Sequence, residues 1–268
     1  MPEGDTIRMT ARRQHAALSG RVLTGFDIRV PEFATVDLSG QTVREVASVG
    51  KHLFHRFDEL SLHTHLKMEG SWRTVAPAQR WPRPAFQARA VLTTAEVVSI
   101  GFELGTTELL PSVDEESVVG HLGPDLLAPD AARHPAPHAW DAAEAVRRLS
   151  ADPLQTVFGA LLDQRNLAGI GNVYANELCF VRGLLPTRRI GEVGDIPALV
   201  DLARRMLWAN RDRGARSTTG DLRPGRRTWV YGRTGEPCRR CGSTLLGGEL
   251  GRREGEERVV TWCPVCQR

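Results

Sequence analysis

The residues with the most chemical potential stand near the two ends of the chain: Met1-Pro2-Glu3-Gly4-Asp5, and Cys238, Cys241, Cys263 and Cys266. Removal of Met1 would leave Pro2 as an amino-terminal secondary amine. An α-amino group titrates near pKa ~8, against ~10.4 for a lysine, so more of it is unprotonated at neutral pH. Unprotonated amines add to carbonyl carbons and form Schiff bases, and a neighbouring carboxyl such as Glu3 can move the protons involved. A solvent-exposed start to an ordinary domain would read the same way, so the rest of the chain must decide. The cysteines form two knuckles, Cys238-Arg-Arg-Cys241 and Cys263-Pro-Val-Cys266, twenty-one residues apart. Four thiolates so spaced suit one tetrahedral Zn2+ in a closed structural site, with two disulfides as the alternative. Zinc would fold the intervening Leu245–Val260, a strand–turn–strand too short to bury a core alone. Cys179, within an apolar stretch, reads as an inert core thiol.

The positioning elements follow from local pattern. Asp5 suits the N-cap of a helix over Thr6–Leu18, closed by Gly20, with Ile7, Ala11, Gln14 and Leu18 as its apolar stripe. Alternating runs at 21–29, 42–49, 52–57, 60–66, 71–75, 88–92 and 97–102 predict an antiparallel sandwich or barrel. Residues 123–138, rich in Pro, Ala and Asp, read as a linker. Helices are expected at 140–150, 154–163, 172–182 and 196–211, the last capped by Asp195, with a glycine-bearing turn at 164–171. Residues 214–227 read as a mobile polar loop. The expected division is 1–122, a β-sandwich domain; 123–138, a linker; 139–228, a helical domain; and 229–268, a zinc finger.

Composition bounds the function classes. Hydrophobic residues make up 41% and charged residues 25%, which predicts a packed globular core. No apolar run approaches the ~18–20 residues of a membrane span. The start is acidic and polar, unlike a secretory signal, so the cytoplasm is the expected compartment. Net charge is only +3, but arginines crowd residues 182–233, including Arg188, Arg189, Arg204, Arg205, Arg226 and Arg227. Their planar forks suit phosphate; a solvated helix face is the plainer reading.

Motifs in order along the chain then point to one family. They are Pro2-Glu3-Gly4-Asp5, Gly50-Lys51-His52-Leu53, His65-Leu66-Lys67-Met68-Glu69-Gly70, Leu122-Gly123-Pro124-Asp125, Leu161-Leu162-Asp163-Gln164 with Ala168-Gly169-Ile170-Gly171-Asn172, and Tyr231-Gly232-Arg233 with Gly235-Glu236-Pro237-Cys238. Together they resemble the formamidopyrimidine-DNA glycosylase / endonuclease VIII family. The resemblance implies an α+β, two-lobed fold: an N-terminal β-sandwich with a leading helix, and a C-terminal helical lobe with a helix–two-turn–helix and a zinc-binding β-hairpin. It implies damaged DNA as partner, held in a basic cleft between the lobes of a nucleoid-associated monomer, and a bifunctional glycosylase/AP lyase reaction. Pro2 would be the nucleophile and Glu3 the proton donor. Lys51 would be a proton donor and phosphate contact, and Arg258 the finger arginine tied to δ-elimination. Asn172 would open the second helix of the motif, capping it and setting its backbone amides at a phosphate. Lys67, Met68 and Glu69 would occupy the loop that fills the gap left by a flipped nucleotide. His121 stands where relatives often carry a DNA-contacting arginine. Arg252 and Arg253 of the hairpin would face phosphates.

Asp5-Thr6, and Phe102-Glu103-Leu104-Gly105 in the region where purine-specific relatives carry an Arg-Phe-Gly element, resemble the endonuclease VIII branch and imply oxidised pyrimidines as substrates. Met68 also fits the purine branch, so 8-oxoguanine and formamidopyrimidines are the alternative. A non-catalytic damaged-DNA-binding module would need none of Pro2, Glu3 and Lys51. An N-terminal-proline enzyme of small keto acids would leave the zinc hairpin without a purpose.

Overall fold

Helix α1 (Gly4–Leu18) starts two residues earlier than its sequence suggests. Glu3, in extended conformation, is the N-cap, and Asp5 lies in the first turn, its Oδ1 accepting the Thr6 amide at 2.7 Å. Acidic side chains are favoured throughout the first turn by the helix dipole, which is why Asp5 suits either position. Its buried stripe is Ile7, Ala11, Gln14 and Leu18, as the spacing predicts. The computed structural model describes residues 2–131, 138–251 and 257–268, and the chain divides into two units, Met1–Gly120 and His121–Arg268. Met1, Arg252 and Arg253 lie outside the described residues.

In the first unit, the strands are β1 (Leu23–Ile28), β2 (Glu45–Val49), β3 (His52–Arg56), β4 (Leu60–His65), β5 (Ser71–Val75), β6 (Ala88–Thr94), β7 (Val98–Phe102) and β8 (Thr106–Pro111). They form two antiparallel sheets, ordered β1-β6-β7-β5 and β2-β3-β4-β8. The seven predicted runs are all strands. The eighth, β8, is an edge strand whose Thr-Thr-Glu-Leu-Leu-Pro sequence carries no period-2 signal. Phe26, Leu53, Leu62, Trp72 and Leu92 fill the core, and α1 packs against β2, β3 and β5. Trp72 of one sheet reaches the other: its Nε1 donates to Thr64 Oγ1 at 3.3 Å and its ring stands 4.5 Å from that of His55.

His55 is fully buried, and neither of its ring nitrogens has a hydrogen-bond partner. Burial holds its pKa down at about 3. The ring is therefore neutral in the fold, whereas in the unfolded chain it protonates near pH ~6.5. As pH falls through that window the unfolded state binds the extra proton, so this group removes about 1.4 kcal/mol of stability per pH unit. His65, at about 4 through burial, acts in the same direction. His55→Leu is expected to flatten the acid side of the stability curve in urea melts; an unchanged slope would clear His55 as its cause.

The second unit contains α3 (Ala142–Leu149), α4 (Val157–Leu162), α5 (Asn172–Val181), α6 (Ile196–Asn210) and the hairpin β9 (Leu246–Leu250) with β10 (Arg258–Trp262); a short α2 (Glu115–Val119) precedes it in the first unit. Side-chain caps set three helix starts: Asp141 accepts from the Glu144 amide, Thr156 from Gly159 and Asp195 from Ala198. Leu126 and Leu127, inside the stretch read as a linker, are buried with Leu161, Tyr174, Leu178 and Leu207. Cys179 is fully buried, and burial pushes its thiol up to about 12, which makes it inert. Among the described residues no helix is long and apolar enough to cross a membrane.

Candidate functional site

Pro2 is half-buried and Glu3 fully buried, while the Glu3 carbonyl accepts the Ile7 amide at 3.0 Å. The start of the chain is therefore folded in. A carboxyl withdrawn from water directly after the proline is a poor surface feature and a good proton carrier.

Lys51 sits in a two-residue hairpin loop, since Val49 and His52 are paired on either side of it. Gly50 at φ +57° supplies the left-handed first position of a II′-type turn, which explains the Gly-Lys pair. Immediately beyond, β3 and β4 present three histidines on one face. His52 Nδ1 is 2.9 Å from His63 Nε2, His63 Nδ1 is 3.1 Å from Glu108 Oε2, and the His52 ring stands edge-on to His65 at 5.3 Å. Sequence reasoning missed this group. Its signal was the alternation at 52, 63 and 65, which shows only once the strand register is known.

The Lys67-Met68-Glu69 loop is anchored from that same face. The Lys67 amide donates to His65 Nδ1 at 2.9 Å, Lys67 adopts φ +50°, and the Gly70 amide closes the turn on Leu66. Met68 is 60% exposed, a flexible apolar side chain held out in water. Glu103, also left-handed at φ +47°, is paired with Arg83 at 2.9 Å.

In the second unit, α4 and α5 are joined by a double turn organised by Gln164. Its amide donates to the carbonyls of Leu162 (2.9 Å) and Ile170 (2.8 Å) and accepts from the Gly169 amide (3.0 Å). Leu122-Gly123-Pro124-Asp125 lies against this turn: the Gly123 amide donates to the Gln164 carbonyl, and a Cβ at 123 would come within 2.4 Å of the Asn166 carbonyl oxygen. Asn172 does not cap α5. Gly171 is the N-cap, and the Asn172 side chain instead donates to the Val259 carbonyl at 3.0 Å, because β10 offers an acceptor that the free helix end does not. Asn176 takes the Thr261 amide at 2.7 Å, so two asparagines of α5 fasten β10. Arg258 opens that strand, exposed and opposite Leu250; His121, at the start of the unit, is exposed.

Residues 214–227 carry more internal bonding than a mobile loop implies. Asn210 makes paired hydrogen bonds with the Ser217 backbone, and the Thr218 amide donates to Arg227. Behind them Glu177, fully buried on α5, accepts from Thr218 Oγ1 and from the successive amides of Trp229 (2.7 Å), Val230 (2.8 Å) and Tyr231 (2.8 Å). Burial pushes its pKa up, and these four donors pull it back. Glu177→Ala would strand them, and denaturant titration is expected to show a loss of at least about 3 kcal/mol.

The Sγ atoms of Cys238, Cys241, Cys263 and Cys266 lie within 4.8 Å of one another, and none is in a disulfide. Cys238–Cys266 is 4.0 Å and Cys241–Cys263 is 3.4 Å, bracketing the ~3.8 Å between sulfurs that tetrahedral bonds of ~2.3 Å require. The four fit one ion.

Residues 1–103 match the formamidopyrimidine-DNA glycosylase N-terminal domain. The chain is 52% identical to the DNA-(apurinic or apyrimidinic site) lyase Nei2 of Mycolicibacterium smegmatis, over 100% of this chain and 99% of that protein. It is 50% identical to endonuclease 8 2 of Mycobacterium tuberculosis, over the whole of both. In fold it is similar to Lactococcus lactis formamidopyrimidine-DNA glycosylase bound to DNA with an AP site, at TM-score 0.79, 21% identity and 99% coverage of both chains. With the buried Glu3 behind Pro2, the Gly50-Lys51 turn, the Gln164 double turn and the four-cysteine cluster in place, this chain belongs to the formamidopyrimidine-DNA glycosylase / endonuclease VIII family, on its endonuclease VIII side.

Proposed function

We propose that the protein is a bifunctional DNA glycosylase and AP lyase of base-excision repair that removes oxidised pyrimidines. The observation that carries this reading is the fully buried Glu3 carboxyl next to Pro2 at the head of α1. The damaged nucleotide is flipped out of the stack, because its sugar carbon is unreachable within it. With Met1 removed, the Pro2 nitrogen attacks C1′ and the base leaves. Glu3 protonates the ring oxygen, the sugar opens, and an iminium links Pro2 to C1′. The iminium acidifies C2′–H, so the 3′ phosphate leaves by β-elimination with Lys51 donating a proton, and the 5′ phosphate then leaves by δ-elimination with Arg258 at the backbone. Lys67 and Met68 fill the vacated stack, and His121 and Asn172 lie against the backbone. The four cysteines hold one Zn2+, which folds the hairpin and so fixes Arg258. The protein acts as a monomer.

Glu103 supports the pyrimidine assignment: with its carboxylate held by Arg83, it offers an orphan base opposite the lesion different chemistry from an arginine. Borohydride reduction in the presence of abasic-site DNA is expected to trap a covalent adduct, diminished when Pro2→Gly is combined with Glu3→Gln. Excision from oligonucleotides bearing single lesions should favour thymine glycol and 5-hydroxycytosine. Efficient 8-oxoguanine release opposite cytosine, with no pyrimidine activity, would overturn the substrate class but not the chemistry.

A further inference from the structure

Two loops of the first unit, Lys67–Glu69 and Phe102–Gly105, pack directly on each other. The Gly105 amide donates to the His65 carbonyl at 2.9 Å, and a Cβ at Gly105 would overlap the Lys67 side chain, which lies across the second loop. Both loops turn through left-handed residues that are not glycine, Lys67 at φ +50° and Glu103 at φ +47°. Among the described residues only His138 shares that feature. Such conformations persist where the surroundings hold them, and they gather at sites that must be shaped in advance. A third segment supplies the hold. Arg83, between β5 and β6, sets its Nη1 2.9 Å from Glu103 Oε2 and 3.5 Å from the Glu69 carbonyl oxygen, so one guanidinium meets both loops. The arm that carries Arg83 is itself fastened. Arg29 of β1 donates to the Ala85 carbonyl at 2.8 Å and stands 5.5 Å over the Trp81 ring, which meets Phe102 edge-on at 6.3 Å. Pro82 and Pro84 flank Arg83 and restrict its backbone. The Glu103 amide donates to the Gln87 carbonyl at 2.8 Å, tying the far end of the arm to the second loop.

We propose that Arg83 is a positioning residue that locks the two loops into one wedge, and so sets how fast a damaged nucleotide leaves the duplex stack. The proposal rests on the glycosylase reading above, in which Lys67 and Met68 fill the vacated stack. A wedge must keep its shape while base steps are forced apart. A loop ordered beforehand has little conformational freedom left to lose at that moment, and the saving appears as a faster opening. Met68, 60% exposed at the tip of the first loop, is the apolar group such a wedge would drive in. The Arg83 and Glu103 side chains are 33% and 34% exposed, so their pairing adds little to the stability of the folded unit. Its loss should therefore be felt in function and hardly in melting.

The test compares single-turnover excision of thymine glycol from duplex and from single-stranded DNA by the full chain, with 2-aminopurine beside the lesion to report unstacking. A single strand has no paired stack to open, so the wedge matters in the duplex alone. Arg83→Ala should slow both duplex excision and the fluorescence rise about tenfold, with the single-strand rate and the melting temperature nearly unchanged. Glu103→Ala keeps a Cβ, hence the same backbone cost, and should behave alike. The double variant should lose no more than either single one, because both remove one contact. Arg83→Lys keeps the charge without the fork and should recover part of the loss. Losses that multiply in the double variant, equal losses on duplex and single strand, or full duplex activity in Arg83→Ala would each overturn the assignment. If Met68→Ala keeps the wild-type duplex rate and signal, the gap-filling reading fails instead, and the role of Arg83 with it. If the wild-type protein excises no base from either DNA, the glycosylase reading fails, with the same consequence.

Discussion

Replacing Glu3 with glutamine is expected to slow base excision from lesion-bearing duplex by about a thousandfold, equivalent to about 4 kcal/mol of barrier. The substitution is nearly isosteric, so α1, whose start Glu3 caps through its backbone, should keep its place. What is lost is a proton. A buried carboxyl can deliver one to the sugar oxygen as the ring opens, and an amide cannot. Cleavage of DNA whose base is already gone should suffer much less, because a free abasic sugar opens without that proton. The measurement is a pair of single-turnover rates, one on a thymine glycol duplex and one on abasic-site DNA, with thermal melts of both proteins alongside. A loss below tenfold on the lesion duplex, with the fold intact, would remove Glu3 from the role given to it.

Stripping the metal should be as damaging, by another route. Structural zinc contributes about 10–16 kcal/mol to the folding of small zinc modules, far more than β9 and β10 can supply by pairing, given that Leu246 and Val259 are exposed. A strong chelator, or Cys263→Ser, is expected to remove one equivalent of Zn2+, unfold the hairpin and lower affinity for abasic-analogue DNA by more than about a hundredfold, since Arg258 loses the strand that presents it. Native mass spectrometry reports the metal and fluorescence anisotropy the affinity. Cys179→Ala, deep among apolar side chains and remote in sequence from the knuckles, should leave the metal in place. Full DNA affinity in a metal-free protein would sink the structural-zinc assignment.

The parts of this protein governed by short-range stereochemistry were legible in its sequence. The spacing of the cysteine knuckles, the Asp195 cap and the alternating strands all depend on residues a few positions apart. So did the helical pattern on either side of Gly171, down to within a few residues at each end. The N-cap is Glu3 and not Asp5 because the backbone is already helical from Gly4, which leaves Asp5 inside the first turn. Asn172 was legible as the residue that opens α5 but not as a tie to β10, because its acceptor lies eighty-seven residues away. The Glu177 cage depends likewise on a carboxylate meeting amides more than fifty residues on.

That Pro2 and Glu3 set an amine beside an acid could be read from the first residues alone, since neither group needs a fold to be recognised. Their setting was not visible. Whether Glu3 is exposed or wholly buried, and whether His52 and Glu108 both meet His63, depends on how β3, β4 and β8 fall into register and on what α1 covers. Register is settled by which apolar faces can be buried together, and only the packed sheet makes that choice.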